Sequence, residues 1–256
     1  MFWLRLNHDA TVLLRQALAA LLDMADSCNV DIIPAEAIVS ISGNTPTAVN
    51  RALLRIPNSA SAYLECDDTY GLVSFVLNLR DLHFDLSRAV ADEEVNIHGD
   101  DDEDTIVIVT RNPETEEFAM SQLELTEAER NIPELDYQYR AIIGLPSQKF
   151  RHLIRYMQYF GNSVSVHATD TEVKFSALNE EVVYRTELGQ CIIGGVQREH
   201  PVAFIFSLHF LNVILNACVL SNIVWLLQSA DSPPMLNFAV GSIGNIMLYF
   251  PVGHDE

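Results

Sequence analysis

Lysine is nearly missing from this chain: of 256 residues only Lys149 and Lys174 are lysine, so the other 13 of its 15 basic residues are arginine. Against them stand 35 acidic residues, and the formal net charge of -20 argues against indiscriminate attraction to nucleic acid or anionic lipid. Any polyanion must therefore be met by a local basic face. Cysteine is scarce too. Cys28, Cys66, Cys191 and Cys218 lie far apart and form no Cys-x-x-Cys pair or zinc spacing, so they read as reduced, mostly buried thiols of an intracellular protein. No apolar run long enough for a signal peptide follows Met1, because Arg5, His8 and Asp9 interrupt it. The most hydrophobic stretch, Pro201 to Leu227, is broken by Ser207, His209, Asn212, Asn216, Ser221 and Asn222, which favours a strand, a helix and a second strand over a membrane span.

Enzymatic signatures are also thin. His8, His98, His152, His167 and His200 are scattered, and no nucleophile, base and orienting acid fall into a motif. Gly194-Gly195 and Gly241-x-x-Gly244 are too common to indicate nucleotide binding. The acidic run His98 to Asp104 sits between strand-like segments and lacks the ligand spacing of a calcium loop, so it reads as a solvated hairpin loop.

What the chain does have is one pattern read four times, an amphipathic helix followed by alternating strands. The helical segments are Thr11 to Ala25, Asn78 to Ala89, Ser147 to Phe160 and Ser207 to Ala217; the strand-like ones are Val30 to Ser42, Glu94 to Arg111, Ser163 to Ala177 and Asn222 to Gly241. Such repetition points to a duplicated supersecondary unit rather than a single catalytic cleft. The third helix buries Phe150, Leu153, Ile154 and Met157 and sets His152 and Arg155, flanked by Lys149 and Arg151, on the other side; it is the most basic of the four. Between the halves, Leu123 to Tyr137 reads as an extended connector, with Ile132 pushed out of the helical region by Pro133.

The segments Met1-Phe2 with Arg5-Leu6, Ile132-Pro-Glu-Leu-Asp-Tyr137, Leu145-Pro-Ser-Gln-Lys-Phe150, Phe160-Gly161, Val173-Lys-Phe-Ser-Ala177, Leu211-Asn212, Ser229-Ala-Asp231 and Tyr249-Phe-Pro251 resemble, in order and at compatible spacing, the proliferating cell nuclear antigen family of DNA sliding clamps. The resemblance implies an α+β clamp fold with two similar domains, 1–120 and 137–256, joined by a connector at 121–136. Each domain would hold two βαβββ-type units, with inner helices and outer antiparallel sheets. It also implies a nuclear, ring-forming homotrimer that encircles duplex DNA, is opened by a clamp loader, docks DNA polymerase and other proteins with clamp-interacting motifs, uses no cofactor or metal, and touches no membrane. A heterotrimeric checkpoint-type or specialised clamp is the alternative.

By the same resemblance, Arg15, Arg80, Arg88, Lys149, Arg151, His152, Arg155 and His209 would face DNA, each of which could equally be a solvated surface residue. The lining is thin, with Leu14, Leu21 and Asn216 where lysines are usual. A partner pocket would be formed by Ile41, Thr45, Pro46, Ile132, Pro133, Ser207, Phe210, Pro233, Phe250, Pro251 and Val252, of which Ile41, Phe210 and Phe250 could instead be core. Arg130 stands where the connector usually carries an apolar residue. Subunits would join through edge strands, Phe118 and Met120 on one side and Val183 and Arg185 on the other. The lysine that carries ubiquitin in the family is absent from Thr169-Asp170-Thr171-Glu172, leaving only Lys174 nearby.

Overall fold

The computed structural model describes residues 1–36, 38–44, 51–66, 72–89, 93–99, 104–112, 114–127, 139–229 and 232–250. The chain divides into two compact units, the first made of Met1–Asn44, Ala52–Ile132 and Val240–Ile246, the second of Thr45–Arg51, Pro133–Ala239 and Met247–Glu256.

In chain order the first unit comprises β1 (Phe2–Leu6), α1 (His8–Leu21), β2 (Ser27–Ile33), β3 (Ile38–Asn44), β4 (Arg51–Pro57), β5 (Ala62–Cys66), β6 (Val73–Asn78), α2 (Leu79–Ser87), β7 (Glu94–Gly99), β8 (Thr105–Arg111), β9 (Phe118–Glu124) and the two-residue β10 (Thr126–Glu127). The second comprises β11 (Ala141–Pro146), α3 (Ser147–Met157), β12 (Ser163–Ala168), β13 (Glu172–Ala177), β14 (Glu180–Arg185), β15 (Ile192–Gly194), β16 (Val202–Ser207), α4 (Leu211–Leu220), β17 (Ile223–Ser229) and β18 (Ser232–Val240), while the last strand, β19 (Gly244–Tyr249), is divided between the units at Ile246.

The duplication is visible in the sheets. One sheet of the first unit runs β5-β1-β7-β8-β9, and its counterpart in the second runs β15-β11-β17-β18 with β19 beyond; the other runs β10-β6-β2-β3-β4, with counterpart β14-β13-β12-β16. In both units the strand before the first helix crosses into the sheet of the second βαβββ element: Leu4 is opposite Leu64 and Ile97, and Ile143 is opposite Ile193 and Leu226. This exchange interlocks the repeats, because neither sheet can form from one repeat alone. The helices of each unit pack against each other, α1 on α2 and α3 on α4.

Period-two burial explains the strands: Phe2, Leu4 and Leu6 point inward while Trp3 and Arg5 point outward, and Val164, Val166 and Ala168 repeat this in β12. The second unit closes on aromatic rings, Phe150 lying 6.2 Å from both Phe175 and Phe206, and Phe206 lying 5.6 Å from Phe250. Glycine matters where rings cross strands. A Cβ on Gly144 would stand 2.6 Å from the Trp225 ring opposite it in β17.

Several sequence-based boundaries shift. The first helix begins at His8 because Asn7 caps it, its Oδ1 accepting from the Ala10 amide at 2.9 Å, and it ends at Leu21 rather than Ala25. The fourth begins at Leu211 and ends at Leu220, because Ser207 still pairs with Ser163 as the last residue of a strand. Val30 to Ser42 is a pair of strands divided by a 3-10 turn at Pro34–Glu36. Leu123 and Glu124, expected to open the connector, complete β9, and Thr126 pairs with Val76.

Candidate nucleic-acid interface and docking surfaces

The face of α3 is built by a simple division of the helix. Phe150, Leu153, Ile154 and Met157 are buried at i, i+3, i+4 and i+7, which turns Lys149, His152, Arg155 and Tyr156 out to solvent. Arg151 lies half-buried at the flank beside Cys218 of α4, whose thiol is pushed up to about 12 by burial despite the opposing arginine charge. Among the described residues none of Lys149, Arg151, His152 and Arg155 has an ion-pair partner. The Tyr156 hydroxyl donates to Glu180 Oε2 at 2.8 Å, tying the helix to the start of β14; that hydrogen bond, aided by desolvation, raises the tyrosine pKa. The outer face of α3 is thus an unneutralised cationic stripe.

The other helices differ. On α2, Arg80 and Arg88 are exposed as expected, yet Arg80 pairs with Asp26 at 2.5 Å and Arg88 with Asp85 at 3.8 Å. Phe84, 62% exposed, stands between them on the same face. Arg15 of α1 is half-buried against α2, where its charge adds to the burial that lowers the pKa of His83. His209 is exposed ahead of α4, its ring edge-on to Phe210 at 4.9 Å, while the outward residues of α4 are Asn212, Asn216 and Val219. Leu14 and Leu21 require a correction: they are 1% and 0% exposed and pack inward, so they vacate no place in a lining.

Both strands expected to join subunits lie at the ends of their sheets. β9 terminates one sheet of the first unit and leaves Phe118 and Met120 74% and 65% exposed, while β14 terminates a sheet of the second with Val183 half-buried and Arg185 exposed and bonded to Glu172 at 3.1 Å. Exposed apolar side chains on a terminal strand mark a surface suited to strand addition.

With this geometry in place, residues 131–252 match the model of the proliferating cell nuclear antigen C-terminal domain. Those residues thus form a proliferating cell nuclear antigen C-terminal domain, which supports the chain as a member of the sliding-clamp family. Its α+β architecture, four helices on extensive antiparallel sheets, is the clamp fold.

The clamp's expected docking pocket is only partly described. Thr45, Pro46, Ile132, Pro133, Pro251 and Val252 lie outside the described residues, as do Arg130, the central connector and residues 100–103 of the acidic loop. Ile41 and Phe250 are corrected to core, at 3% and 2% exposure, because each points into the packed face of its own unit. Ser207, Phe210 and Pro233 are half-buried; the Pro233 carbonyl accepts from the Tyr139 hydroxyl at 3.3 Å, and the Ser207 Oγ accepts from the His209 amide.

The clamp residues that sequence reasoning missed are the two carboxylates. Asp85 in α2 and Arg88 at its C-cap stand three apart, a legible spacing, whereas Asp26 and Arg80 are 54 residues apart and meet only through the fold. No described group of histidine, cysteine or acidic side chains is arranged to hold a metal, and no described helix is long and apolar enough to cross a membrane.

Proposed function

We propose that this chain is the subunit of a ring that encircles duplex DNA and tethers polymerases and repair enzymes to it. The observation that supports this reading most directly is the uncompensated basic face of α3 within a clamp-family domain of a chain whose net charge is -20. A ring holds DNA by topology, so its phosphate interactions need only be weak, and a locally basic helix on an otherwise acidic body suits sliding better than tight binding. The ring is a homotrimer closed by addition of β9 of one copy to β14 of the next, with Phe118 and Met120 covered at the joint. A clamp loader opens it, and partner peptides settle on Ser207, Phe210 and Pro233 together with Thr45, Pro46, Ile132, Pro133, Pro251 and Val252. The chain makes and breaks no covalent bond, uses no cofactor, and works in the nucleus.

Two measurements test this. Light scattering over a range of concentrations gives three times the 28.7 kDa chain mass for a self-closing ring. Protein loaded on nicked circular DNA stays through gel filtration and is lost when the circle is linearised; equal retention on both DNAs refutes encirclement. The charge balance of α2, one arginine against two aspartates within the helix, favours a second reading in which this chain is one arm of a heterotrimeric clamp. A mass that stays at 28.7 kDa at every concentration selects that reading.

A further inference from the structure

We propose that α3 alone among the four helices carries the phosphate-binding charge of this chain, and that Asp26 and Asp85 hold the arginines of α2 out of that role. The inference rests on the encirclement reading and refines its site. Within its bounds α1 carries one acidic and one basic residue, Asp9 and Arg15, of which Arg15 is half-buried beside His83 of α2 rather than turned out to solvent; α2 carries Arg80 against Asp81 and Asp85; α4 carries no charge at all; and α3 carries Lys149, Arg151 and Arg155 with no acidic residue. The imbalance is chemical as well as numerical, since Arg80 is engaged by Asp26 and Arg88 by Asp85, while the α3 cations are unpaired among the described residues.

The energetic argument concerns counterions more than the pairs themselves. An exposed ion pair is worth only about 0–1 kcal/mol, so pairing alone does not prevent an arginine from turning to a phosphate. But a guanidinium already neutralised by a carboxylate gives the duplex no net cation and releases no condensed counterion, and the displaced carboxylate remains nearby to repel the backbone. Arg80 faces Asp26 and, one position on, Asp81, whose charge also acts on it; Arg88 faces Asp85, which is 9% exposed and held in place by the helix. Unpaired Lys149 and Arg155 suffer no such cancellation. Phe84, between the two arginines, adds an apolar residue where a phosphate would need a donor.

The test is the salt dependence of binding of the full-length protein to a short duplex, followed by fluorescence anisotropy. Each phosphate that the protein no longer neutralises should flatten the slope of log K against log salt by about 0.9. The paired substitution Lys149→Gln with Arg155→Gln is expected to flatten the slope by about that amount for each phosphate left without its cation, Arg80→Gln with Arg88→Gln to leave it unchanged, and Asp26→Asn to steepen it by releasing Arg80. Asp26 is exposed, so its substitution leaves the core intact. Flattening by the α2 pair as large as that by the α3 pair, or no steepening with Asp26→Asn, overturns the inference. Failure of the encirclement reading looks different: wild-type protein then shows no difference in retention between circular and linear DNA, whatever the helix variants do.

Discussion

Phe150 fixes the helix whose outer face is cationic, and its removal should be costly in a measurable way. The side chain is fully buried, with the Phe175 ring edge-on to it and the Phe206 ring tilted, each at 6.2 Å. Phe150→Ala removes the ring and leaves a cavity bounded by two others, at a cost of about 3–5 kcal/mol. Phe150→Leu keeps most of the apolar volume and loses mainly the ring-on-ring geometry, about 0.5–1.5 kcal/mol for each such pair. The two variants should therefore separate by roughly 2 kcal/mol in urea denaturation at a fixed protein concentration, because subunit association would add a concentration-dependent term of its own. Because Lys149 and Arg151 are the neighbours of Phe150, the leucine variant should also weaken DNA binding slightly while leaving its salt slope intact: the charges are still present but less firmly placed. A loss below about 1 kcal/mol for Phe150→Ala would refute the packing argument, since removing a fully buried phenylalanine from between two rings should destabilise by more than that.

The caps and titratable groups give further expectations. Asn78→Ala removes the Oδ1 that accepts from the amides of Arg80 and Asp81 and should cost about 1 kcal/mol, read as a lower urea midpoint with an unchanged m-value. His83 has its folded pKa lowered by burial and by Arg15, so the unfolded chain binds the proton more readily. Stability should accordingly fall as pH drops below the ordinary histidine value of 6.5, and His83→Gln should flatten that part of the pH profile. Cys28 and Cys218, pushed up to about 12 by burial, and the buried Cys191 should resist alkylation of the native protein at mildly alkaline pH, so that mass spectrometry finds half-buried Cys66 modified first.

Much of the fold was legible in the sequence where periodicity and punctuation agreed. The third helix starts at Ser147 as expected, because Pro146 ends the preceding strand and the apolar positions at Phe150, Leu153, Ile154 and Met157 leave one reading only. The fourth failed at its start because Val202 to Phe206 is apolar enough to continue a helix, and only the pairing of Ser207 with Ser163 marks it as strand. Cross-sheet exchange was beyond reach for a related reason. Alternation in Phe2, Leu4 and Leu6 says that one face is buried, but not that the partners are Ala62 to Cys66 and Glu94 to Gly99.

The site divides along the same line between local and non-local information. That Lys149 and Arg155 are exposed follows from helical spacing, and the structure agrees. Whether an exposed arginine is electrostatically free does not follow, because its neutraliser can come from any distance along the chain: Asp26 reaches Arg80 from the turn between α1 and β2, where the Leu79 amide also donates to the Asp26 carbonyl. A sequence count therefore treats Arg80, Arg88, Lys149 and Arg155 as four equal cations, whereas the folded chain divides them into two that are compensated and two that are not. In a protein with 35 acidic and 15 basic residues this division carries more information than the total, since an arginine that already faces a carboxylate offers an external polyanion no net cation, whereas one that does not is left to meet it.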